Sequence, residues 1–155
     1  TIMSDVTKVL SQCGIIVTLS QVVSTTVPKR LVEDMAGGSE DLELYSYDEH
    51  EANIDVFFVV QINGRTTAGI TLAPNVSLAY EAGIAIADRT LDGNLNGQSA
   101  VRVLAHELTH YFENYWFDSG HRASAANLMY EATSDTARDL DESQCLDVRA
   151  NFGVD

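Results

Sequence analysis

His106-Glu107-Leu108-Thr109-His110 is a complete H-E-x-x-H. On an α-helix, residues four apart lie on one face, so His106 and His110 can aim imidazole nitrogens at a single metal ion. Glu107 lies about 100° round the helix from His106, close enough to reach a metal-held water without being a ligand. The five residues thus specify two zinc ligands and a general base. Their surroundings supply the helix: from Ser99 to Phe117 there is no Gly or Pro. Val101, Leu104, Ala105, Leu108, Tyr111, Phe112 and Tyr115 make one broad apolar face, with the two histidines opposite it. Two exposed histidines on an ordinary amphipathic helix would not account for the glutamate between them, or for the residues downstream.

A catalytic zinc takes three protein ligands and leaves a fourth position to water. His121 comes directly after the turn residues Ser119-Gly120, which can reverse the chain toward the helix. Glu131 lies further on, in Tyr130-Glu131-Ala132-Thr133-Ser134-Asp135, and a carboxylate serves zinc as well as an imidazole does. Glu113 shares the histidine face and is a third option, although a solvated helix charge is the simpler expectation for it.

The order H-E-x-x-H, then His121, then Asn127-Leu128-Met129-Tyr130 resembles the metzincin family of zinc endopeptidases, its matrixin branch in particular. The resemblance implies that His121 is the third ligand, that Met129 floors the metal site and that Tyr130 supports it. Glu131 with Asp135 is instead similar to the glutamate-ligand motif of thermolysin-like gluzincins. The metzincin pattern expects Gly at 113 and His at 116, where this chain has Glu113 and Trp116. Gly ends a helix in a left-handed conformation that Glu adopts only at a cost, so the helix is expected to continue about one more turn, to Ser119-Gly120.

The remaining elements are read from periodicity. Ser4 can cap a helix carrying Val6, Val9, Leu10 and Cys13, and Gly14 can end it. Ile15–Leu19 reads as a buried strand, and residues 27–38 are ambiguous. Ile54–Ile62 is a strand, and Asn63-Gly64 predicts a hairpin into Thr67–Leu72. Ile84–Ala87 is a short strand, and a last helix runs from Leu140 to about Ala150. This order resembles a metzincin catalytic domain. The implied class is α+β, an α/β-type sandwich: a mixed twisted sheet with an N-terminal helix, an active-site helix, a methionine turn and a C-terminal helix. The expected organisation is one domain over 1–155, its upper part about 1–117 and its lower part about 118–155.

The net charge of −14 argues against nucleic acid and anionic membranes as partners, and no apolar run reaches membrane-spanning length. Thr1 in place of an initiator Met reads as a processed or excised domain. Residues 39–51, with Glu40, Asp41, Glu43, Asp48, Glu49 and Glu51, read as a solvated acidic loop; a calcium site or a region selecting basic substrates is the sharper alternative. Asp92-Gly93-Asn94-Leu95-Asn96-Gly97 resembles half a calcium loop, but Val103 stands where the closing Glu belongs. Cys13 and Cys145, on the apolar sides of the first and last helices, are either two buried thiols, the default, or a disulfide suited to a secreted enzyme.

The function expected from these residues is hydrolysis of peptide bonds, with one catalytic zinc on His106, His110 and His121 and Glu107 as general base. The substrate would be a protein or peptide lying extended along the edge strand Thr67–Leu72 of a secreted or extracellular monomer. A non-catalytic, zinc-stabilised binding module is the competing class, and Glu107 argues against it because a structural site has no use for an acid there.

Overall fold

Apolar runs in the middle of the chain form short strands, and helical patterns at both ends form helices, giving a mixed α+β architecture. The computed structural model describes residues 2–36, 39–47, 54–65, 67–72, 83–88, 100–113, 120–130 and 137–152. Two compact units make it up: residues 23–97, and residues 1–22 together with 98–155. The expected subdomain boundary near residue 117, the calcium-like loop 92–97 and Glu131 all lie outside the described residues.

The first three helices in chain order are α1 Ile2–Leu10, α2 Lys29–Glu33 and α3 Ser39–Tyr45. The last two belong to the unit of residues 23–97, where α2 resolves the ambiguous stretch and α3 replaces part of the expected acidic loop. Helix α3 buries Leu44 and Tyr45 in the core of this unit, and beside it the Arg30 guanidinium reaches Glu40 at 3.4 Å and Glu43 at 2.7 Å, so the acidic side chains meet a cation as well as solvent. Three strands complete this unit: β1 Asp55–Val59, β2 Gly69–Leu72 and β3 Gly83–Ala87. Their order is β1-β3-β2, with β3 parallel to β1 (Asp55 opposite Gly83) and antiparallel to β2 (Gly69 opposite Ile86).

The expected hairpin is therefore corrected. Asn63–Arg65 does turn, with Asn63 and Gly64 both at positive φ, but among the described residues only Ile62 and Thr67 pair across it. β3 takes the place between the two strands because its five residues Gly-Ile-Ala-Ile-Ala are all buried, as a central strand requires. Gly83 is required where β3 begins, since a Cβ there would lie 2.6 Å from the Tyr45 ring. The core of this unit is apolar: Leu31, Met35, Leu44, Tyr45, Val59, Ile62, Ala85 and Ala87. Tyr45 satisfies its hydroxyl by donating to the Ile70 carbonyl at 3.1 Å.

In the other unit, α1 buries Val6 and Leu10, tightens into a 3-10 turn at Ser11–Cys13 and ends at Gly14 with φ 78°. Ser4 lies inside this helix and is not its cap. The strand expected at Ile15–Leu19 does not form. Ile16 and Leu19 are 77% and 59% exposed, and the segment is tied down through Thr7, whose hydroxyl donates to the Val17 carbonyl and accepts from its N–H. The long helix α4, Ala100–Glu113, packs against α1 and against α5, Glu142–Phe152. Flanked in this way, α4 buries residues 102–109 without a break, so the expected single apolar face is too narrow a description; Val101 and Tyr111, placed on that face, are only half-buried.

Helix α5 starts two residues later than expected because Asp141 caps it, its carboxylate accepting from the Gln144 N–H at 2.9 Å. The Ser143 hydroxyl and this N–H hold the Asp141 carboxyl below the usual carboxylate range. The two cysteines, for which buried thiols were the default, instead form a Cys13–Cys145 disulfide with Cα atoms 4.7 Å apart. The reason is proximity, because α5 packs on the 3-10 turn that carries Cys13. Closing a loop with a separation of 132 residues stabilises the fold by about 5 kcal/mol on the chain-entropy account. No helix among the described residues is long and apolar enough to cross a membrane.

Candidate metal centre

Helix α4 places His106 and His110 one turn apart, and the backbone after it supplies the third imidazole. Gly120 adopts φ 107°, a region that favours glycine, and His121 comes next. The returning segment is then pinned. The Arg122 N–H donates to the Met129 carbonyl at 2.8 Å, and Arg122 also bridges to Tyr130. The Asn127 side chain accepts from the Met129 N–H at 2.8 Å and donates to the Gln144 side chain on α5 at 2.8 Å. Met129 is fully buried.

The outcome is a triangle of ring nitrogens. His106 Nε2 lies 3.1 Å from His110 Nε2, which lies 3.2 Å from His121 Nε2, and the third side is 3.3 Å. Such a group can hold a metal ion. His106 Nδ1 lies 2.7 Å from the Leu128 carbonyl oxygen. A carbonyl can only accept, so Nδ1 carries the proton and Nε2 presents its lone pair, as an outer partner of a metal ligand should arrange. Burial pushes the His106 imidazole down to about 4, against a smaller upward pull from the Leu128 bond. Burial likewise takes His110 down to about 3, helped by the two neighbouring imidazoles. Both rings are therefore neutral at pH 7 in the metal-free protein, which is the form that binds metals.

Glu107, between the two helical histidines, is buried. Glu113 is not the solvated charge expected of it: it is 6% exposed, and neither carboxylate oxygen has a hydrogen-bond partner among the described residues. The physical reason is the close packing of α4 by its neighbours. Burial pushes the Glu113 carboxyl up to about 7, opposed by Arg122 and assisted by Asp147 and Asp141. Glu113 is outside the imidazole cluster, so it is not a ligand in this geometry.

Two contributors to the site could not be read as such from the motif. One is the Leu128 carbonyl, a backbone group that every residue type carries. The other is Arg102, buried four residues before His106, whose Nη2 donates to that same carbonyl at 3.0 Å and whose Nε donates to the Ala137 carbonyl at 2.6 Å. A cation between Val101 and Val103 on the turn before His106 was its one visible signal. Comparison with known proteins gives no match to a family model, to a curated protein or to a solved structure.

Proposed function

We propose that this chain is a zinc-dependent endopeptidase of metzincin-like fold, with His106, His110 and His121 as ligands and Glu107 as general base. The observation that carries the reading is the convergence of the three Nε2 atoms at 3.1–3.3 Å. A tetrahedral zinc with bonds of about 2.0–2.1 Å needs nitrogens about 3.3–3.4 Å apart, so the donor set fits that ion. Three imidazoles are also the donor chemistry of a catalytic zinc, which keeps its fourth position open.

When bound, zinc supplies Lewis acidity, acidifying a water and polarising the scissile carbonyl. The chain's own residues do the rest. His106 is held in the correct tautomer by the Leu128 carbonyl, and Gly120 permits the return that delivers His121. Glu107 takes the proton of the attacking water and hands it to the leaving amine. The substrate class is a protein or peptide. The participation of His121 supports the metzincin arrangement over a gluzincin one with Glu131 as ligand, and the Cys13–Cys145 disulfide supports a secreted or otherwise oxidised setting.

The test is digestion of casein by the zinc-loaded protein, with and without a chelator. Chelator-sensitive cleavage at about one zinc per chain is expected. Stoichiometric zinc without cleavage of casein or a mixed peptide library would favour the non-catalytic module instead.

A further inference from the structure

Of the seven buried polar residues among the described ones, Arg102 is the only cation. It is 2% exposed and sits in the apolar run Val-Arg-Val-Leu-Ala at the start of α4. Burying a guanidinium is costly unless its donors are engaged, so its position needs a reason. Its contacts supply one. The Nε–Ala137 bond and the Nη2–Leu128 bond clamp two backbone segments that are already paired, since the Leu128 N–H donates to the Asp139 carbonyl at 2.7 Å and Asn127 bridges to Asp139. The Leu128 carbonyl oxygen has two lone pairs. One takes the Arg102 proton and the other takes the His106 Nδ1 proton, at 2.7 Å.

We propose that Arg102 is a positioning residue for the metal centre, fixing the Leu128 carbonyl so that His106 is held in one tautomer and one ring orientation with Nε2 toward the metal. The inference rests on the zinc reading above for its consequence, although the hydrogen-bond relay itself does not depend on which metal binds. Arg102 and His106 are four apart on α4, so both reach the same carbonyl from one face of one helix. Direct hydrogen-bond partners of a metal ligand change metal affinity by about 10–100-fold when removed, because a ligand free to turn must be reordered on binding, and Arg102 acts through one such partner, the Leu128 carbonyl. Lysine keeps the charge but lacks the fork that spans two carbonyls.

The experiment has two arms. In the unmodified zinc-loaded protein, NMR should find the His106 Nδ1 proton slowly exchanging and shifted downfield, and resolved, slowly exchanging Arg102 guanidinium protons. An Nε2-protonated His106, or a freely rotating guanidinium, would overturn the proposal whatever any variant does. In the second arm, Arg102→Gln and Arg102→Lys are titrated with zinc against a competing chelator. Gln should weaken zinc about 10–100-fold and broaden or lose the His106 Nδ1 resonance, with Lys restoring only part of the affinity. Affinity within about twofold of the parent and an unchanged imidazole resonance in whichever variant folds would sink it. Parent protein that binds no zinc would defeat the functional reading, and the first arm, run on the metal-free protein, would still decide the relay.

Discussion

Residues 23–97 bury Leu31, Met35, Tyr45, Ile62 and the strand Gly83–Ala87, whereas residues 1–22 and 98–155 bury, besides their apolar side chains, Arg102, His106, Glu107, Thr109, Glu113, Asn127 and Gln144. Every buried polar residue among the described ones falls in the second unit. The sheet unit is thus stabilised by burial of apolar surface, which is non-directional and tolerant of detail. The helical unit adds groups that must each find a partner, and an unpartnered one costs about 1–3 kcal/mol. A fold accepts that cost where a polar group has work to do, and the imidazole triangle is in this unit.

The sharpest break of this contrast is at the ligands. His121→Ala should abolish stoichiometric zinc, while Glu131→Ala should leave about one zinc per chain, both read by metal analysis after dialysis. The reverse pair of results would transfer the third ligand to Glu131 and replace the metzincin proposal with a gluzincin one. Next in size is Glu107→Ala, which should retain zinc and lose about 10²–10⁴-fold in turnover on a peptide substrate. Near-parental turnover would mean that this buried acid is not the base.

Smaller effects compare the two kinds of core directly. Ile86→Ala in β3 should cost about 2–5 kcal/mol in denaturant unfolding through cavity formation alone. Asn127→Ala removes far less volume, yet it strips the side-chain partner from the buried Met129 N–H, at about 1–3 kcal/mol for an orphaned group, and takes one of two donors from Gln144 Oε1, which keeps the Asp141 N–H. It should also weaken zinc, because Asn127 holds the segment whose Leu128 carbonyl orients His106. If Asn127→Ala destabilises without touching zinc affinity, the polar network serves folding only.

Legibility in the sequence divides along the same line. The H-E-x-x-H spacing, the glycine before His121 and the strand Ile84–Ala87 are written in side-chain type and period, and the structure brings the three imidazoles together. The Leu128 carbonyl was invisible because backbone acceptors leave no trace in residue identity. Ile15–Leu19 misled because β-propensity reports fitness for a pleated, half-buried surface, and no neighbouring strand provides one among the described residues. The Asn63-Gly64 turn was correct locally, but no local signal states that β3 will enter between the strands it joins. Glu113 misled for a related reason: helical periodicity shows which residues share a face, not that helices on both sides will cover it.

Glu113 also gives the smallest effect, a slope and not a loss. Its carboxyl is pushed up to about 7 in the folded metal-free protein, from an ordinary value of 4.5, with burial outweighing Arg122 and with Asp147 and Asp141 adding to the rise. Between those values the folded chain holds a proton that the unfolded chain has released. The contribution to stability is therefore complete below pH 4.5 and is lost as pH rises through about 7, at no more than about 1.4 kcal/mol per pH unit. His106 and His110 act in the opposite sense, since their lowered values make the unfolded chain the better proton binder below about 6.5. Comparing the parent with Glu113→Gln cancels them. Urea unfolding in the presence of chelator, from about pH 4.5 to 7.5, should show the parent losing stability relative to the variant as pH rises. Parallel curves would mean that Glu113 is as solvated in the folded protein as its sequence position suggested, and the helical unit would then contain one fewer strained polar group than the contrast between the units requires.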